Sequence, residues 1–213
     1  MKTYDQKYLT YSGWDVEFDT VIGRIGGSVL LTIILLPSCV LIARLLKKKD
    51  QNHVCDEFDR LEKILKKNRE ICIGQSGIWW FFTTMLTDRG TEMGDFRRLE
   101  RSLFSLKGYE HEEFARACVF YTDPYSSWQK PHIEEVHTLI RRILPKKSSF
   151  DGLTQKDVDL ICSHINSYSR AALDGATPFE AAPAGFSDKL TRALGQKRID
   201  PDDINLTPRL LDY

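Results

Sequence analysis

Residues 25–43 read Ile-Gly-Gly-Ser-Val-Leu-Leu-Thr-Ile-Ile-Leu-Leu-Pro-Ser-Cys-Val-Leu-Ile-Ala, with no charged side chain, and Lys47, Lys48 and Lys49 follow soon after. A run of this length can cross a bilayer as one helix, and trailing lysines suit a cytoplasmic flank. Pro37-Ser38 interrupts it, however, and Gly26-Gly27 opens it. Its wealth of Val, Ile and Leu also fits two buried strands, residues 28–36 and 39–46. Proline has no amide for a central ladder, so Pro37 belongs in the turn between them. Charged and aromatic residues precede the run for two dozen positions, unlike a signal peptide. Two strands are the favoured reading, and a single-pass membrane protein is the alternative.

Outward from this pair, Trp14, Val16, Phe18, Thr20 and Ile22 alternate with Asp15, Glu17, Asp19 and Val21, the pattern of a strand. A turn at Gly23, Gly26 and Gly27 then completes a three-strand meander. Residues 52–67 carry Val54, Phe58, Leu61 and Leu65 at helical spacing. Residues 79–86 predict a fourth strand, 96–106 a short basic helix and 115–121 a fifth strand. Pro131 opens a helix through about Leu144, with Ile133, Val136, His137, Ile140 and Ile143 on its buried stripe. Thr154 and Asp157 predict a capping box for another helix, whose core face is Val158, Ile161, Ile165 and Tyr168. This order predicts an α/β fold: a mixed five-stranded sheet with helices on both faces and C-terminal helices. We divide the chain into a lead-in (1–12), a core (13–182) and a C-terminal tail (183–213) that shows little periodicity.

Thirty basic residues balance thirty acidic ones, so any affinity for nucleic acid must come from local asymmetry. The five cysteines, Cys39, Cys55, Cys72, Cys118 and Cys162, never fall as C-x-x-C, and no two histidines form H-x-x-x-H. That excludes a secreted disulfide framework and a zinc knuckle, and points to a reducing cytoplasm.

Three carboxylates fall where the strand order brings them together. Asp19 lies in the first strand, Asp88 at the end of the fourth, which pairs beside the first, and Glu134 in the first turn of the following helix. Such an oxygen-only set suits Mg2+ or Mn2+, and two ions can activate a water or 3′-hydroxyl and stabilise the leaving oxygen of a phosphodiester. The plainer alternative makes Asp15, Glu17 and Asp19 the solvated face of an edge strand, and Glu134-Glu135 a solvated helix start.

The wording around these acids resembles DDE transposases of the insertion-sequence thirty family. Residues 14–23, Trp-Asp-Val-Glu-Phe-Asp-Thr-Val-Ile-Gly, are similar to the family's first catalytic strand, and Thr87-Asp88-Arg89-Gly90-Thr91-Glu92 to its second motif. Asp123-Pro124-Tyr125-Ser126-Ser127-Trp128-Gln129-Lys130 resembles the stretch ahead of the third acid. Arg141 stands seven residues after Glu134, where the family has a basic residue, and Leu144-Pro145-Lys146-Lys147 and His164 to Arg170 continue the likeness. The resemblance implies a ribonuclease-H-like integrase core with Asp19, Asp88 and Glu134 as catalytic and metal-binding residues. It further implies two Mg2+ (or Mn2+) ions, DNA cleavage at transposon ends and strand transfer into target DNA, and a homo-oligomer in the active complex. The family has Asn on either side of its third acid; this chain has Ile133 and Glu135, which leaves Glu135 as an alternative third acid. Residues 68–81, with Trp79-Trp80, do not fit the pattern.

The family's helix-turn-helix region is expected to be absent, which suggests a truncated copy or a core working with a separate helix-turn-helix recognition subunit. A catalytically silent remnant is the alternative function. Lys130, Arg141, Arg142, Lys146 and Lys147 gather around Glu134 and are the expected DNA-binding residues, with Arg97, Arg98 and Arg101 a second basic cluster. Trp128 and Tyr125 are candidates to stack on a displaced base, or else to pack in the core or a loop.

Overall fold

The computed structural model describes residues 13–68, 82–104, 115–124, 126–183 and 185–212. Strands β1 (Trp14–Ile22), β2 (Val29–Leu36) and β3 (Val40–Leu46) form the expected meander, and Pro37 and Ser38 lie in its second turn. Gly26 takes φ +79° in the first turn, a conformation that a side chain would strain. The uncharged run is therefore two strands. No helix among the described residues is long and apolar enough to cross a membrane.

Helix α1 (Gln51–Asn68) follows, then β4 (Phe82–Thr87), a short α2 (Phe96–Glu100), β5 (Cys118–Tyr121), α3 (Pro131–Ile143), α4 (Gln155–Ser167) and α5 (Asp188–Ala193). The sheet order is β3-β2-β1-β4-β5, antiparallel across the meander and parallel from β1 to β4 to β5. β1 is thus the central strand, which overturns the edge-strand alternative for Asp15, Glu17 and Asp19.

Period-2 alternation divides the core between the two faces of the sheet. Val16 and Phe18 of β1 and Leu31, Ile33 and Leu35 of β2 pack against Val54, Phe58, Leu61 and Leu65 of α1. Phe58 meets both Phe18 and Phe82 edge to face, at 5.2 and 6.2 Å between ring centres. On the opposite face Val21, Leu30, Ile34 and Leu41 pack under Ile133, Val136 and Ile140 of α3 and Val158, Ile161 and Ile165 of α4. Both faces of β2 are covered, which is why its sequence is apolar without alternation.

Two elements differ from the expected pattern. The basic helix stops at Glu100, because Arg101 turns extended and bridges to Ala115. The buried Arg116 guanidinium holds that end, donating to the carbonyls of Arg101 (2.8 Å) and Arg98 (3.0 Å) and pairing with Asp59. The second difference is α5, capped by Ser187, which accepts from the Leu190 amide. Six residues are too few for periodicity to register. Leu190 and Leu194 nevertheless join the α1 face of the core, and Leu206, Leu210 and Leu211 pack on the α3–α4 face. Residues 1–12 and Trp79-Trp80 lie outside the described residues.

The free edge of β3 is covered by side chains of α4, which blocks pairing with another strand. Asn166 accepts from the Leu41 amide and donates to the Leu41 carbonyl, both at 2.8 Å. Gln155 accepts from Leu45 N (2.9 Å) and donates to Ala43 O (3.1 Å). Gln196 also donates to the Leu41 carbonyl, so replacing Asn166 by Ala orphans chiefly the buried Leu41 amide. We expect Asn166→Ala to cost about 1–3 kcal/mol in a urea unfolding titration; an unchanged midpoint would show that the edge needs no cap.

Candidate active site

Strand β1 and helix α3 are joined at four points along their length. The Glu17 carboxylate accepts from the Ile133 amide at 2.8 Å, in the first turn of α3. Lys130, the residue before the helix, donates from Nζ to Asp19 Oδ2 at 2.9 Å. The third tie runs through β2: Thr32 Oγ1 donates to Asp19 O (3.0 Å) and meets His137 Nε2 at 2.8 Å. At the far end Arg141 donates to the Ile22 carbonyl at 2.6 Å. Pro131 fits the opening of α3 because its missing amide is one the helix cannot use.

These contacts set the protonation of the site. With the Thr32 hydroxyl proton directed at Asp19 O, the contact with His137 needs a proton on Nε2, and burial favours the neutral ring. Burial pushes the His137 pKa down to about 4, against the pull of Asp19 and with the help of Lys130 and Arg141. Burial raises the Glu17 pKa too, opposed by the Ile133 amide and by His132 and Lys130.

Asp88 stands one residue beyond β4 and accepts from the Gly90 amide at 3.1 Å. β1 and β4 are parallel, and their pairing ends with Glu17 opposite Leu86, two residues before Asp19 on one chain segment and Asp88 on the other. Glu134 is exposed, on the helix face that also carries His137 and Arg141. Glu135 pairs with Arg170 at 2.9 Å. Among the described residues, no three His, Cys, Asp or Glu side chains stand grouped closely enough to hold a metal ion.

The basic residues divide by burial. Lys130 is buried on Asp19, Arg141 is half-buried, and Arg142, Lys146 and Lys147 are exposed. Of the second cluster, Arg98 is engaged by Asp56 and Asp59, while Arg97 and Arg101 are exposed. Trp128 is 75 % exposed, which overturns core packing for it, and Tyr125 lies outside the described residues. Sequence reasoning did not pick out the buried Glu17 and Glu92 as parts of the site; the available signals were a carboxylate two residues before Asp19 and the glutamate that closes the Asp88 motif.

The ORF3 protein of Spiroplasma virus SpV1-R8A2 B, named as an integrase, is 31 % identical over 168 residues, covering 76 % of this chain and 43 % of the viral protein. The transposase InsI of insertion sequence IS30A from Escherichia coli is 34 % identical over 95 residues, 42 % of this chain and 25 % of the transposase. The homologues of this chain are IS30-family transposases and an integrase. The chain therefore matches less than half the length of either of these relatives. No protein-family model matches it. Among solved structures, a simian T-cell lymphotropic virus intasome in complex with PP2A regulatory subunit B56 gamma aligns with TM-score 0.53 and 11 % identity, covering 87 % of this chain and 58 % of that one. The homology and the sheet order agree on a ribonuclease-H-like integrase core fold.

The neutral His137 makes stability depend on pH. Its folded pKa of about 4 lies below the ordinary 6.5, so the unfolded chain binds the extra proton first. The neutral ring's contribution is complete above 6.5 and is lost as pH falls towards 4. We expect the wild-type melting temperature to fall more between pH 7 and pH 5 than that of His137→Gln, whose amide can still donate to Thr32. Equal pH slopes would contradict the neutral, buried ring.

Proposed function

We propose that this chain is the catalytic core of a DNA transposase or integrase, cleaving a phosphodiester at an element end and joining the 3′-hydroxyl to target DNA. The observation that carries this reading is the parallel pairing of β1 with β4, which ends two residues short of both Asp19 and Asp88, with α3 tied to the same β1 strand. Homology to transposases and an integrase supports it.

In this reading Asp19, Asp88 and Glu134 hold two Mg2+ or Mn2+ ions; Glu135 is less suited, being engaged by Arg170. The donor set is all carboxylate oxygen, the chemistry of these hard cations. The environment also accepts positive charge, since the Lys130 ammonium already stands on Asp19 Oδ2. When bound, such ions would supply a nucleophile at neutral pH and stabilise the leaving oxygen. The chain's own residues orient the reactants. Lys130 holds one Asp19 oxygen, and Thr20 N donates to the other at 2.7 Å, which fixes the carboxylate. Arg142, Lys146 and Lys147, exposed near the end of α3, attract the DNA backbone. Lys130 and Arg141 act on phosphate from inside the site, where each is already held by β1. Trp128 offers a ring face to an unpaired base. The active form is a homo-oligomer on DNA in the cytoplasm.

The test is nicking of duplex DNA with and without divalent metal. We expect Asp19→Asn, Asp88→Asn and Glu134→Gln each to reduce nicking to the metal-free level, while Glu135→Gln retains it. Metal-independent nicking, or full activity in Asp19→Asn, would overturn the assignment. For binding, Lys146→Ala should weaken all duplexes alike and lower the salt slope by about one. A loss confined to one sequence would contradict a backbone contact.

A further inference from the structure

Two buried carboxylates near the site belong neither to the three acids nor to the hydrophobic core. Glu17 is 2 % exposed and Glu92 is 3 % exposed. A carboxylate is costly to bury unless hydrogen bonds and charges meet it, and both of these are met by groups beside the candidate acids.

Glu17 points to the α3 side of the sheet. Its Oε2 accepts from Ile133 N at the opening of the helix, where unpaired amides favour an anion. One bond therefore links the residue two before Asp19 to the residue just before Glu134. Glu92 closes the site from the opposite face, where its neighbour Met93 joins the α1 side of the core. Its Oε1 accepts from Thr20 Oγ1 at 3.0 Å and pairs with Lys49 Nζ at 2.9 Å. The turn carrying Asp88 folds over this carboxylate so closely that a Cβ on Gly90 would lie 2.7 Å from Glu92 Oε2. Asp88 accepts from that same Gly90 amide. Contacts thus run from Asp88 through Gly90 and Glu92 to Thr20, the neighbour of Asp19.

We propose that Glu17 and Glu92 are positioning residues: Glu17 fixes the helix that presents Glu134, and Glu92 the turn that presents Asp88, each against the strand of Asp19. The inference rests on the carboxylate reading of the site and adds to it what holds three acids from three separate elements in register. Supporting groups of this kind orient ligands that would otherwise turn away from one another by charge repulsion.

Reach, not charge, is what this role requires, and that separates it from a general contribution to stability. Glu17→Gln keeps an oxygen at the same distance, whereas Glu17→Asp keeps the charge but falls short by a methylene. Thr20→Val removes the donor to Glu92 from a half-buried position and leaves Glu92 itself in place. The probe is Mn2+ alone, titrated into the full chain and followed by electron paramagnetic resonance of the free ion, with a melting curve for each variant. We expect Glu17→Gln to bind Mn2+ like the wild type, and Glu17→Asp and Thr20→Val to bind roughly tenfold more weakly or worse while still melting cooperatively. Wild-type affinity in Glu17→Asp and Thr20→Val, or a stronger loss in Glu17→Gln than in Glu17→Asp, would overturn the positioning role. Asp19→Asn serves as the control: if it binds Mn2+ as the wild type does, the carboxylate reading itself fails and the inference falls with it.

Discussion

The bond from the Glu17 carboxylate to the Ile133 amide is the constraint on which the site depends. It spans the gap between a central strand and the helix that crosses it, and both partners are buried at their point of contact. Breaking it strands a carboxylate and an amide away from water, at a cost of about 1–3 kcal/mol for each group. Lys130, His137 and Arg141 then repeat the attachment at intervals along the same two elements. A helix held once can swivel; one held along its length keeps its place on β1.

The rest of the fold keeps that strand central. β2 and β3 shield β1 on one side and β4 and β5 on the other. The meander could offer its outer edge to another strand, but Asn166 and Gln155 take up the exposed backbone groups of β3. The chain after α4 crosses back to reinforce both layers. Gln196 donates to Leu41 O and accepts from Asn166 Nδ2, while Leu190 and Leu194 fill the α1 side.

Much of this is written locally. The alternation from Trp14 to Ile22, the proline between two apolar runs, the Pro131 helix start and the Thr154–Asp157 capping box are short-range signals, and each corresponds to an observed element. The parallel pairing of β1 with β4 was also inferable, since a crossover helix precedes β4. What sequence pattern does not carry is long-range partnership. Glu17 looks like any polar member of an alternating strand until a helix more than a hundred residues later places an amide over it. The same limit hid the Arg116 contact that ends α2 and the short α5, whose packing depends on α1. Motif and strand order single out Asp19, Asp88 and Glu134, and the paired register of β1 and β4 ends two residues short of the first two.

In the proposed site, one strand, one turn and one helix are held so that three acids can share cations. Crystals of the chain grown with Mn2+ and measured for anomalous scattering test it most directly. We expect anomalous density between Asp19 and Asp88, with the Glu134 carboxylate turned onto it and the Glu17–Ile133 bond intact. Density located elsewhere, or a bound ion that Glu134 does not reach while α3 stays in place, would contradict it.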